Sequence, residues 1–227
     1  MNFKTMSIKE NLQNILSTIP EHVTLVAVSK TKPVSDIMEA YNAGQRIFGE
    51  NKIQEMVEKF EALPKDIEWH MIGHVQTNKV KYMAPFVSLI HGVDNFKLLK
   101  EINKQAKKHN RIIDCLLQIK IAEEDSKFGM APGDAKTLLQ SKALSELKHI
   151  RITGLMGMAT FTDDENKIKT EFNLLKQTFD SLKPLEIFNF NPKIISMGMS
   201  GDYTLAIACG STMIRVGSSI FGSRNYN

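Results

Sequence analysis

The chain has 227 residues and a mass of 25.6 kDa, with 42% hydrophobic and 24% charged residues, a net charge of +4 and a pI near 8.9. That balance excludes a disordered or fibrous chain, and the length suits one α/β barrel spanning residues 1–227 as a single domain. The mild basicity suits a small anionic ligand but does not indicate nucleic acid, and no apolar run is long enough to span a bilayer.

Only two cysteines occur, Cys115 and Cys209, each in an apolar segment, which favours buried thiols over a disulfide and suits a reducing cytoplasm. Met1-Asn2-Phe3-Lys4 is followed by polar residues rather than a signal-peptide core, so a cytoplasmic protein is expected.

In chain order, Ile8, Leu12, Ile15, Leu16 and Ile19 share one helical face over 6–19, a leading helix stopped at Pro20. The apolar run 24–29 reads as a strand buried on both faces and delivers Lys30 at its end, with Pro33 closing the segment. A helix capped by Ser35 carries Ile37, Met38, Ala40 and Tyr41 and stops at Gly44. Strand 47–49 leads through Glu50 and Asn51 into a helix with Ile53, Met56, Val57 and Phe60 inward. Strand 68–72 ends in Gly73-His74-Val75-Gln76, and a short helix with Val80 and Met83 precedes Pro85.

A fourth strand is expected over 86–91, and Asn95 caps a helix with Leu98, Leu99, Ile102 and Ala106 inward. The basic cluster Lys107-Lys108-His109 complements that helix's C-terminus. Strand 112–119 is followed by a polar loop from Ala122 to Gly133, and Asp134 caps a helix carrying Leu138, Leu139 and Leu144. Strand 150–156 ends at Met156, and Asp163-Asp164-Glu165 forms the acidic start of a helix carrying Ile168, Phe172, Leu175, Phe179 and Leu182. Strand 194–197, a short helix near 203–208 and strand 213–216 complete the alternation. Eight strands alternating with helices indicate an α/β fold, a single (β/α)8 TIM barrel with an extra N-terminal helix. A doubly wound open sheet is the alternative, disfavoured because no G-x-G-x-x-G follows the first strand.

Active sites of such barrels form at the C-terminal ends of the strands, with phosphates bound by the loops after strands seven and eight. Those loops are Ser196-Met197-Gly198-Met199-Ser200-Gly201-Asp202 and Gly217-Ser218-Ser219, both small and hydroxyl-rich. Taken alone, Lys30 reads more simply as a lysine snorkelling from a strand end. Barrel closure, however, sets strand one beside strand eight. A strand-end lysine beside a phosphate site is the minimal requirement for pyridoxal 5′-phosphate bound as a covalent aldimine to Lys30. Arg215 can approach the pyridine nitrogen, where a guanidinium only donates, and Asn51 and Met156 end strands of the same mouth. His70 and His74 lie four apart with no glutamate between them and no third ligand nearby, so zinc is disfavoured.

Several stretches carry a wider resemblance: Ala27 to Pro33, Phe48 to Glu55, Trp69 to Lys79, Lys127-Phe128-Gly129, Gly154 to Met158, Ser196 to Ser200, and Arg215-Val216-Gly217 through Gly222. Together they resemble the YggS/PROSC-type pyridoxal phosphate homeostasis proteins, which look like the alanine racemase N-terminal barrel standing alone. The resemblance implies that Lys30 carries the cofactor as a Schiff base, with Arg215 facing the pyridine nitrogen and Asn51 beside the ring. Ser200, Gly217 and Ser218 would hold the phosphate, and Gly201 follows Ser200 where many relatives have an acidic or polar residue. Lys32 and Lys127 match lysines regarded as secondary acceptors, and Lys120 stands where the family often has asparagine.

The implied role is vitamin B6 homeostasis without robust catalysis: a monomer that binds the cofactor and passes it to pyridoxal phosphate-dependent apo-enzymes. Two alternatives stand beside it, an amino-acid racemase-like enzyme and a Schiff-base phosphosugar barrel. Racemisation requires an acid/base on each face of the substrate. Racemases of this fold take the second, a tyrosine, from a further domain that is not expected here, since the chain ends a few residues past strand eight.

Overall fold

The computed structural model describes residues 6–123 and 128–222. Eight parallel strands close into a barrel in sequential order: β1 (Thr24–Val28), β2 (Ile47–Glu50), β3 (Glu68–Met71), β4 (Leu89–Val93), β5 (Ile113–Gln118), β6 (Ile150–Met156), β7 (Phe190–Ser196) and β8 (Met213–Val216). The seam pairs Val26 with Arg215 and Ala27 with Val216. That pairing rules out the open sheet and sets the ends of β1 and β8 side by side.

The helices are α1 (Ile8–Thr18), α2 (Val34–Asn42), α3 (Ile53–Ala62), α4 (Val80–Met83), α5 (Phe96–Lys108), α6 (Pro132–Leu139), α7 (Lys142–Ser145), α8 (Glu165–Leu182), α9 (Tyr203–Ala208) and α10 (Ser218–Phe221). A 3-10 turn, Thr77–Lys79, precedes α4. The helices pack their apolar faces on the sheet to build the main core, while Val26, Leu89, Leu116, Met156 and Met213 form a second cluster inside the barrel. No helix among the described residues is long and apolar enough to cross a membrane. Both cysteines are free thiols, Cys115 buried and Cys209 half-buried.

Helix starts follow local chemistry. Ser7 and Glu10 form a capping box on α1, Asn95 caps α5, and Asp164 accepts from the N–H groups of Asn166 and Lys167 at the start of α8. Two expected caps are corrected. Ser35 and Asp134 both lie inside their helices, because α2 begins directly after Pro33 and α6 begins at Pro132. Proline's fixed φ suits it to helix starts, so both prolines move the boundary upstream. The helix expected to run on through Leu144 breaks in two where the Ser141 hydroxyl bonds the Leu138 carbonyl.

The fourth strand begins at Leu89 rather than 86, since the N–H groups of Phe86 and Val87 both return to the Met83 carbonyl. β7 begins at Phe190, upstream of the expected 194, and Ile112 is exposed outside β5. Gly154 marks a register shift between β6 and β7, where a Cβ would collide with the Ile194 carbonyl.

Candidate functional site

A cavity of about 520 Å3 opens at the C-terminal end of the barrel. On its β1–β7–β8 side it is walled by Val28, Lys30, Met199, Ser200, Gly201, Asp202, Arg215, Gly217 and Ser218. Opposite stand Asn51, His74, Gln118, Phe128, Met158 and the segment 159–163. Seven of the eight residues singled out from the sequence thus share one chamber. Met156 is the exception. It ends β6 but packs inward with Leu116 and Met213 beneath the cavity, and Met158, two residues on, takes the wall position.

Lys30 is half-buried one residue beyond Ser29 at the end of β1. Gly217 lies against Val28, and a Cβ there would come within 3.0 Å of the Val28 carbonyl oxygen. Its N–H donates to Ser200 Oγ at 3.2 Å, tying the loops after β7 and β8 together. Asp202 Oδ1 accepts from the Met199 N–H at 2.5 Å and holds the first of those loops. Gly201 has open space where a Cβ would point. Asn51 is placed by close packing, since a Cβ at Gly73 would come within 2.5 Å of the Asn51 carbonyl oxygen.

Arg215 is buried in β8. Its Nη1 donates to Ser196 Oγ at 2.6 Å and its Nη2 to the Gly157 carbonyl at 3.1 Å. Burial lowers its pKa to about 10, with Asp202 acting in the opposite direction, so the guanidinium remains a cation and a pure donor at neutral pH. Ser196 Oγ lies 3.0 Å from His91 Nδ1, and His91 Nε2 lies 3.1 Å from His70 Nδ1. Burial holds His70 at about 3 and, with the charges of His70 and Arg215, keeps His91 well below its ordinary value. A neutral imidazole has one donor and one acceptor, so one proton per bond runs down this chain and no second cation forms next to Arg215.

A second network underlies Lys30 and had no signal in the sequence beyond the Glu55–Lys59 spacing. Lys59, on α3, is buried and donates to Glu50 Oε1 at 2.8 Å, Glu55 Oε1 at 2.7 Å and the Ser29 carbonyl at 2.8 Å. Ser29 Oγ donates to Glu50 Oε1 at 2.5 Å. Burial raises the Glu50 pKa, while Lys59 and Ser29 oppose the shift.

Of the remaining sequence candidates among the described residues, only His74 lines the cavity. Lys32 Nζ donates to the Phe221 carbonyl at 2.8 Å, at the end of α10. Lys120 is half-buried past β5 and is not among the residues lining the cavity, and Lys127 lies outside the described residues. His70 faces His91, whereas His74 pairs with Asp94 at 3.7 Å and stacks on Phe128, so the two histidines do not converge. Among the described residues no group of three or more His, Cys, Asp or Glu is arranged to hold a metal ion.

Chemically, the chamber combines a lysine amine, a donor-only cation and two tied loops of glycine and serine. These features suit a small phosphorylated carbonyl compound.

Comparison with known proteins gives a consistent picture. Residues 4–225 match the family model described as alanine racemase, N-terminal domain. The pyridoxal phosphate homeostasis protein of Pasteurella multocida is 39% identical over 235 residues, covering 98% of this chain and all of that one. Two structures of PipY from Synechococcus elongatus superpose over 95% of this chain and all of theirs. The one without pyridoxal phosphate has a TM-score of 0.89 at 35% identity, and the one with it bound has 0.85 at 34%. An alanine racemase from Clostridium difficile has a TM-score of 0.79 at 14% identity, a likeness of fold that covers 97% of this chain and 60% of that enzyme.

Proposed function

The chain belongs to the pyridoxal phosphate homeostasis proteins, built on the alanine racemase N-terminal domain, and from that membership we propose that it binds pyridoxal 5′-phosphate as a Schiff base to Lys30 and buffers or delivers it. The observation that carries this reading is the convergence of Lys30, Arg215 and the tied Ser200–Gly217 loops on one chamber. The residues fit the cofactor. Gly217 leaves its N–H at a point where a side chain would strike Val28, and Arg215 retains N–H donors beyond those given to Ser196 and Gly157.

When bound, the cofactor would supply an electrophilic aldehyde and an electron-withdrawing ring. The chain's own residues set the use of that chemistry. Lys30 would offer the amine, Ser200, Gly201, Gly217 and Ser218 would hold the phosphate, and Asn51 would stand beside the ring. Arg215 would donate at the pyridine nitrogen and could not serve as the carboxylate that keeps such a nitrogen protonated, so electron withdrawal would be weak. Among the described residues no tyrosine lines the cavity, so the tyrosine acid/base used by two-base racemases of this fold has no counterpart there. Both points support holding over turnover. The same reading treats residues 1–227 as one unit, monomeric and cytoplasmic, with pyridoxal phosphate-dependent apo-enzymes as recipients.

The purified protein's absorbance tests the binding. A yellow Schiff-base band abolished by Lys30→Ala is expected, and a colourless protein that instead traps sugar phosphates on Lys30 would overturn the reading. Enantiomer-resolved turnover of several amino acids tests the carrier role, which racemisation at ordinary enzyme rates would contradict.

A further inference from the structure

Lys30 sits at the second position of a tight turn, Ser29 to Lys32, closed by the Lys32 N–H on the Ser29 carbonyl at 3.0 Å. The third position is Thr31, with φ +64°. A turn of this form takes glycine or asparagine there, and a β-branched residue at positive φ is strained. Such strain persists only where the surroundings impose it, and it gathers at functional sites.

The surroundings here are specific. The Thr31 N–H donates to Glu55 Oε1 at 2.5 Å. On the other flank, Ser29 gives its hydroxyl proton to Glu50 and its carbonyl accepts from Lys59. Lys59 bridges both glutamates. The residue before Lys30 and the residue after it are therefore fastened to one ion triad, and Lys30 itself lines the cavity.

Stability does not account for this triad. Glu50 and Lys59 are buried and Glu55 is half-buried beside them; removing such charges from water is costly, and apolar side chains of similar volume often serve as well or better. Glu50 Oε2 adds to the cost, being buried without a hydrogen-bond partner. We propose that Glu50, Glu55 and Lys59 are positioning residues that force the strained turn and thereby aim the Lys30 amine into the chamber. This inference rests on Lys30 being the Schiff-base lysine.

The test is a double-mutant cycle between Glu55→Gln and Thr31→Gly in full-length protein stripped of cofactor. The rate of Schiff-base formation and the affinity are read by absorbance during pyridoxal 5′-phosphate addition. Glu55→Gln keeps the side chain's size and loses its charge, so a roughly tenfold loss in rate and affinity is expected. Glycine adopts positive φ without strain and does not need the clamp. In a Thr31→Gly background the same Glu55→Gln change is therefore expected to cost about twofold or less. Glu55→Asp, which keeps the charge with a shorter reach, should fall between wild type and Glu55→Gln.

A role confined to stability would lower the melting temperature and leave the rate of the folded protein unchanged, with no relief from Thr31→Gly. Wild-type rates and affinity in Glu55→Gln, or an equal loss in both backgrounds, would overturn the proposal. Borohydride labelling of wild type separates this failure from failure of the premise: a label on Lys30 with no effect of Glu55→Gln rejects the clamp alone, whereas no label on Lys30 rejects the premise and the clamp with it.

Discussion

Two polar networks lie beneath the barrel mouth, Arg215–Ser196–His91–His70 contributed by β8, β7, β4 and β3, and Glu50–Lys59–Glu55 contributed by β2 and α3. The first carries charge only at its arginine end, because burial keeps both imidazoles neutral. The second sets a lysine directly between two carboxylates and balances opposite charges against their desolvation. The difference follows from what each supports. Arg215 lines the chamber, where a second buried cation would repel it. The triad faces backbone, where charge-assisted hydrogen bonds hold N–H and C=O groups most firmly.

Breaking the triad should have the largest effect. Lys59→Met leaves Glu50 and Glu55 without their cation, and a loss of about 3–5 kcal/mol in folding stability is expected from denaturant midpoints at pH 7. Unchanged midpoints would show that the three groups contribute nothing net. In the first network, Arg215→Glu removes the donor pair to Ser196 and Gly157 and reverses the charge at the chamber wall. Cofactor affinity should fall by about 2–3 kcal/mol, or roughly 30- to 150-fold, with a shifted absorbance band. A variant with wild-type affinity and spectrum would show that Arg215 does not contact the ring.

The two networks also differ in the sign of their pH dependence. His70 has a folded pKa of about 3 against an ordinary 6.5, so its contribution is intact above about 6.5 and declines as pH falls toward 3. Glu50 is shifted upward, so its contribution is intact below its ordinary value and declines as pH rises through the folded one. Between pH 6 and 5 the histidines should dominate, and His70→Gln should reduce the slope of stability against pH by roughly 1.4 kcal/mol per unit. An unaltered slope in urea titrations across that interval would show that His70 is not kept neutral by the fold. The smallest effect expected is that of Ser200→Ala, which leaves the Gly217 N–H without its acceptor. About 1 kcal/mol of cofactor affinity should be lost, read by equilibrium titration.

Where the sequence spoke clearly, the signal was local. The apolar runs and helix periodicities give the eightfold alternation, and closure then places Lys30 beside the loops carrying Ser200 and Gly217. The ion triad was hidden because Lys59 reads as a surface residue on an amphipathic helix, and nothing in Ser29-Lys30-Thr31 announces a positive φ at a threonine. The histidine chain was hidden for a different reason. His70, His91, Ser196 and Arg215 come from four separate strands, and only barrel layering brings them within hydrogen-bond reach. Met156 was misplaced because a strand-end position leaves undecided whether the side chain closes the interior or lines the mouth.

Everything about the chamber turns on which amine holds the cofactor. Borohydride reduction of the loaded protein followed by peptide mass spectrometry locates the pyridoxyl group directly. A single label on Lys30 is the expected result, whereas a label on Lys32, Lys120 or Lys127 with Lys30 unmodified would contradict it.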